Sequence, residues 1–172
     1  VAGTIHSYSQ IIGGNAYMIG DFIEIGIDSI GVEGTNDLPG SNSRGGGCPD
    51  SYFGFVANPQ MDGWGNYNGD FFTPGIHENG FGLDIDGAEY GNNAAPCSTP
   101  LNEINGEIIE YWETFDSISV TWQGEITGLI EMSVNYSLQK NQLFYTTTIS
   151  LVNVSGVTLT DVYYYRNLDP DN

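Results

Sequence analysis

The sequence predicts an all-β fold, a predominantly antiparallel β-sandwich with long Gly/Asn-rich loops. Three observations lead to this prediction. Apolar and polar residues alternate with period two in several segments. These segments recur about every ten to twelve residues with turn residues between them, and helical periodicity is scarce. The 172 residues are enough for one adequate core, and no linker divides them. We therefore expect a single domain over residues 1–172, excised from a longer chain.

The first half of the chain is expected to hold short strands between long loops. Isoleucines at every second position from 23 to 27 predict a half-buried strand. Residues 34–106 contain most of the Gly, Pro and Asn, so loops should dominate there. Within them, short strands are expected at residues 52–57 and 81–85.

The second half, residues 107–166, predicts a regular set of strands joined as an antiparallel meander. Its alternating or β-branched segments are residues 117–122, 131–138, 144–152 and 157–166. We expect turns at Gln123-Gly124 and at Lys140-Asn141. Residues 101–114 fit a strand and a short helix equally well.

The chain is strongly acidic, with 3 Lys plus Arg, 22 Asp plus Glu and a formal net charge of −19. Nucleic-acid binding and docking on anionic lipid need a basic surface, so both are excluded. No apolar run is long enough to predict membrane insertion. Disorder is also excluded, because 40% of the residues are hydrophobic and 13% are aromatic. This composition is typical of a secreted or cell-surface domain.

Few of the carboxylates can find a cation within the chain, so they are solvated, repel one another or hold divalent metal ions. Calcium is the natural candidate, because it prefers oxygen ligands and is plentiful outside cells. The candidate ligands lie in three turn segments and are Asp62, Asn66, Asn68, Asp70, Asp84, Asp86, Asp169 and Asp171. None of these segments is an EF-hand loop. The alternative is that these side chains cap backbone amides of their own turns.

The two cysteines, Cys48 and Cys97, lie in loops rich in Gly, Pro and Ala. An even number of cysteines in the loops of a secreted-looking chain predicts a disulfide. The alternative is a pair of free thiols in a reducing compartment.

Aromatic residues in the glycine-rich loop suggest a ligand site. Trp64 and Tyr67, with Phe71 and Phe72 nearby, could stack on sugar rings while neighbouring acids and amides bind hydroxyl groups. The alternative is that these rings close the open end of the sandwich.

Signals for catalysis are weak, so the sequence leans against an enzyme. Among 22 acids some pair will always meet the spacing that glycoside hydrolysis requires. His77 lies in a loop, and no nucleophile elbow, HExxH or phosphate-binding loop is present. Arg166 is expected to form a structural ion pair, with Asp161 or Asp169 as its partner.

Part of the chain resembles a known style of domain. Residues 152–172, where a strand of the type L-x-N-x-S-G-x-x-L-T-x-V-Y-Y continues into R-N-x-D-P-D, are similar to a stretch of large secreted Bacteroidota-type surface proteins and long adhesins. Residues 54–75 resemble the loop part of such domains. The strand half also resembles, less specifically, the sandwiches of mutarotase-like carbohydrate-active proteins. Two Asp-Ser-Ile tripeptides, at residues 28–30 and 116–118, match a pattern that such bacteria O-glycosylate.

The resemblance implies a cell-surface or secreted, adhesin-like part of a larger bacterial protein. Together with the acidic composition and the loop aromatics, it leads us to expect a non-catalytic adhesin-like or structural module, with calcium as its candidate metal and a glycan or another cell-surface ligand as its candidate partner. One alternative is a carbohydrate-binding or carbohydrate-processing module. A second is a self-assembling filament subunit that associates through open sheet edges.

Overall fold

The computed structural model describes residues 10–35, 54–57, 78–94 and 101–169. These residues form twelve strands in three four-stranded antiparallel sheets, and no helix occurs among them. The strands are β1 (Gln10–Ile12), β2 (Asn15–Ile19), β3 (Ile23–Ile27), β4 (Phe55–Ala57), β5 (Glu78–Ile85), β6 (Ala88–Ala94), β7 (Leu101–Asn102), β8 (Asn105–Glu113), β9 (Ser117–Ile126), β10 (Ile130–Gln139), β11 (Tyr145–Asn153) and β12 (Val162–Asp169). The prediction of an all-β, antiparallel fold is confirmed.

The first sheet has the strand order β1-β2-β3-β4. The predicted isoleucine strand is β3, and Ile23, Ile25 and Ile27 are all buried in the core. Period-two alternation identified this strand because one of its faces covers the interior.

The second sheet is the meander that the sequence predicts, with the strand order β11-β10-β9-β8. Every second residue of β9 and β10 is buried, which fits sheet strands with one face on a core. The ambiguous residues 101–114 form β7 and β8, so the helix alternative is wrong.

The predicted turn at Lys140-Asn141 is confirmed, but the one at Gln123-Gly124 is wrong. Both of those residues lie inside β9, and the chain turns at residues 127–129 instead. Gly124 leaves room for the indole of Trp122, because a Cβ at this position would lie 2.1 Å from that ring. A glycine inside a strand often marks such a close approach.

The third sheet has the strand order β12-β5-β6-β7. Strand β12 does not continue the meander, because it crosses over and pairs with β5 along its whole length. This crossover brings the inward-facing residues of β12, such as Tyr164 and Arg166, opposite the buried Leu83 and Phe81 of β5.

One hydrophobic core joins the three sheets, since it contains buried residues from each of them. At its centre the rings of Phe81 and Trp122 meet edge to face, with centroids 5.5 Å apart. The described residues include no helix that is long and apolar enough to cross a membrane.

Candidate functional site

A buried carboxylate, Glu33, lies at the centre of a polar cluster inside the sandwich. Glu33 follows β3 in a tight turn that folds back on the strand, where it forms an isolated bridge with Ile27. Gly31 permits this turn, because its φ is +84° and a Cβ there would lie 2.6 Å from Trp122. The local sequence thus carries Glu33 into the interior, where its side chain is completely buried.

Three donors satisfy the Glu33 carboxylate. The Tyr145 hydroxyl donates to Oε1 at 2.7 Å, and the Asn79 amide donates to Oε2 at 2.6 Å. Arg166 donates to Oε2 as well and forms an ion pair with it. We refer to Glu33, Asn79, Tyr145 and Arg166 as the Glu33 cluster.

The Glu33 cluster connects all three sheets. Glu33 comes from the turn after β3 of the first sheet, and Tyr145 from β11 of the second. Asn79 and Arg166 come from β5 and β12 of the third. A buried charge needs such partners, because an uncompensated one would destabilise the fold by several kcal/mol.

The ring of Tyr136 lies beside the ion pair. The Arg166 guanidinium lies over the Tyr136 ring at 5.8 Å from its centroid, and the Tyr136 hydroxyl donates to the carbonyl of Gly31 at 2.7 Å. Burial, reinforced by the negative charge of Glu33, raises the pKa of both Tyr136 and Tyr145. These hydroxyls therefore remain protonated donors.

The same surroundings keep Arg166 charged. Burial alone would lower the pKa of Arg166, but its interactions with Tyr136 and Glu33 outweigh burial, and the pKa lies above its ordinary value. The cluster therefore holds a charge pair in which both oxygens of Glu33 accept hydrogen bonds. Such an arrangement is suited to holding elements together and poorly suited to general acid–base chemistry.

A second carboxylate, Asp28, supports the turn that carries Glu33. Its Oδ1 accepts hydrogen bonds from the backbone amides of Ile30 at 2.8 Å and Val32 at 3.4 Å. Burial raises the pKa of Asp28 to about 7, against the opposing effect of these hydrogen bonds.

A groove runs between the edge strands β11 and β12, beside the Glu33 cluster. Its volume is about 350 Å³, and its walls are formed by Tyr145, Thr147, Ile149, Tyr164 and Arg166. The Tyr164 hydroxyl is buried here and has no hydrogen-bond partner among the residues that the structure describes. The groove thus combines aromatic rings, a hydroxyl group and one end of a neutralised ion pair.

Two of the predicted calcium ligands, Asp84 and Asp86, lie at the β5–β6 hairpin. Asp86 and Gly87 form its two-residue turn with φ values of +53° and +82°, which is the pattern of a type I′ turn. Asp84 Oδ1 accepts from the Gly87 amide at 2.9 Å, and Asp86 Oδ1 accepts from the Thr160 hydroxyl at 2.7 Å. Asp84 thus caps an amide of its own turn, whereas Asp86 holds a residue of a different segment.

No group of three or more His, Cys, Asp or Glu side chains with metal-binding geometry occurs among the described residues. Asp169 is the last residue of β12. The remaining candidates lie outside the described residues; they are Asp62, Asn66, Asn68, Asp70 and Asp171 for calcium, Trp64 and Tyr67 for sugar, and Cys48 and Cys97 for the disulfide. Calcium binding, sugar binding and the disulfide therefore remain predictions.

The expected structural ion pair of Arg166 exists, but its predicted partner is wrong. Arg166 pairs with Glu33, whereas Asp161 is exposed at the turn before β12 with a φ of +48°. Sequence reasoning missed Glu33 altogether. A signal was present, since Glu33 is a single acid within an otherwise uncharged run from Ser29 to Asn36.

Comparisons with protein-family models, with curated proteins and with solved structures give no match to this chain.

Proposed function

We propose that this chain is a non-catalytic structural module, adhesin-like in character, of a secreted or cell-surface bacterial protein. One observation carries the proposal: both oxygens of the buried Glu33 carboxylate accept hydrogen bonds from residues of the other two sheets. Glu33 accepts hydrogen bonds from Tyr145, Asn79 and Arg166. The acidic composition and the resemblance of residues 152–172 to long surface proteins support the extracellular setting.

The proposal predicts that removing the charge of Glu33 lowers the stability of the fold. Glu33→Gln puts an amide where three donors converge, so we expect the free energy of unfolding to fall by about 3 kcal/mol. The matched control is Glu107→Gln, the same chemical change at an exposed position of β8. We expect the control to change stability by less than about 0.5 kcal/mol.

The measurement is urea unfolding followed by circular dichroism for the wild type and both variants. A Glu33→Gln protein as stable as the wild type would contradict the structural role. In that case the Glu33 cluster would serve a function other than stabilising the fold.

Carbohydrate binding is a second candidate, and the β11–β12 groove is the observation that favours it. Tyrosine rings, the Thr147 hydroxyl and the Arg166 guanidinium line this groove, and such groups stack on sugar rings and bind their hydroxyls. The test is a titration of the isotope-labelled chain with maltotriose and with cellotriose, followed by NMR. Saturable shifts at Thr147 and Tyr164, lost in Thr147→Val, would support this candidate, and unchanged spectra with both sugars would contradict it.

A further inference from the structure

The two edges of the β8–β11 sheet differ in how well they are protected. Natural sheets guard an exposed edge with charged side chains or a bulge, because unpaired N–H and C=O groups otherwise recruit another strand. Edge strand β8 has both protections. It carries Glu107, Glu110 and Glu113, and its pairing with β9 shifts register between Ile108 and Glu110.

Edge strand β11 has neither protection. It pairs with β10 in an unbroken register over all nine of its residues, and its outer side makes no ladder with any described strand. It contains no Pro and no charged residue. The absence of charge extends over residues 141–160, in a chain that contains 22 acids.

This distribution of charge indicates which partner β11 would accept. Two copies of a chain with a net charge of −19 repel each other wherever their acids face one another. The uncharged edge is a surface at which a second copy can approach without placing carboxylates against carboxylates. A strongly basic partner would instead be expected to meet an acidic edge, such as that of β8.

We propose that β11 pairs with β11 of a second copy, antiparallel and across a two-fold axis. With the axis at Ile149, the middle residue of the strand, all nine positions of β11 would be paired. Thr148 would then lie opposite the partner's Ser150. The result is a continuous eight-stranded sheet with a protected β8 at each end, so we expect this sheet not to add further copies and the assembly to stop at the dimer.

The neighbouring surface is suited to this arrangement. Val162 and Leu168 of β12 lie opposite the buried Ile85 and Asn79, yet they are 37% and 55% exposed. On β11, Leu151 lies opposite the buried Met132 but is itself 37% exposed. A strand added at β11 would extend the sheet over the groove beside these apolar side chains.

The test uses charge placed on the solvent face of β11, where Thr148 and Ser150 are exposed. One variant carries Thr148→Lys with Ser150→Lys, and the other carries Thr148→Glu with Ser150→Glu. Sedimentation velocity should find the wild type at twice the 18.7 kDa of one chain and each variant alone as a monomer. An equimolar mixture of the two variants should restore the dimer, because opposite charges then meet across the axis.

A matched control is Thr127→Lys, which places a charge in the exposed β9–β10 turn and should leave the wild-type dimer intact. Added salt should strengthen the wild-type dimer, because it screens repulsion between the two acidic copies. A wild type that remains monomeric at about 1 mM and 0.3 M salt would overturn the proposal, and so would an open-ended series of larger species. These experiments measure mass, whereas the proposed structural role is tested by stability, so either can fail without the other.

Discussion

Arg166 on β12 forms an ion pair with Glu33 in the turn after β3, although the two residues are 133 positions apart in the sequence. The pair links the turn after β3 of the first sheet to β12 of the third sheet, where β12 pairs with β5. Glu33 is completely buried, so removing Arg166 is costly because the buried carboxylate is left without compensation.

Removing the Tyr145 hydroxyl should weaken the fold measurably. Tyr145→Phe deletes one donor to Glu33 and leaves the ring in place, so we expect a loss of about 1–3 kcal/mol in the free energy of unfolding. The control is Tyr163→Phe on the exposed face of β12, where the side chain is 60% exposed. Urea unfolding of both variants checks the prediction, which would be contradicted by equal midpoints.

A methyl group at Gly31 should be much more damaging than one at Gly128. Both glycines have positive φ, at +84° and +74°, so alanine introduces similar backbone strain at either position. Only at Gly31 does the new Cβ collide with a ring, that of Trp122 at 2.6 Å, whereas nothing lies within 4 Å of a Cβ at Gly128. Thermal melts of the two variants should therefore differ by about 10 °C or more, with Gly31→Ala the lower. Similar midpoints would show that the turn is not packed against Trp122 as described.

Neutralising Asp28 should change how stability depends on pH. Its pKa is raised from 3.8 to about 7 in the folded protein, so between these values the folded state retains a proton that the unfolded state has lost. This contribution to stability is fully present below about pH 4 and is lost as the pH rises through about 7. Asp28→Asn keeps the acceptor for Ile30 but removes the titration.

The measurement for Asp28 is the urea midpoint of wild type and Asp28→Asn from about pH 4 to pH 8. The stability of the variant relative to wild type should rise over this interval. Two parallel curves would contradict the prediction.

Calcium should stabilise the chain if the acidic loops bind it, as the sequence predicts. At a hundred times the dissociation constant, one site adds about 2.7 kcal/mol, which is a shift of several degrees in the melting temperature. Thermal melts in calcium, in magnesium and in EDTA test this. Equal melting temperatures in all three solutions would contradict calcium binding, and the acidic residues would then serve solubility.

The sequence predicts the local features of this fold well. Strands β3, β9 and β10 follow from alternation alone, because each has one face on the core. The assigned turn at Gln123-Gly124 failed because the glycine there accommodates a ring, a relationship that turn propensities do not contain.

The candidate site was much less predictable. The partner of Arg166 depends on the crossover of β12 to β5, and no local pattern encodes a pairing between sheets. The sequence indicated correctly that a rare cation would be held in an ion pair. It could not identify Glu33 as the partner, because Glu33 and Arg166 meet only when the three sheets pack together.

The central claim is that Glu33 and Arg166 act together to hold the sandwich, and a double-mutant cycle tests it most directly. The cycle compares the wild type, Glu33→Gln, Arg166→Met and the double variant by urea unfolding. We predict that each single variant loses about 3 kcal/mol and that the double variant loses much less than the sum, with a coupling of about 2 kcal/mol or more. Losses that simply add would contradict the account, because they would mean that the two residues stabilise the fold independently.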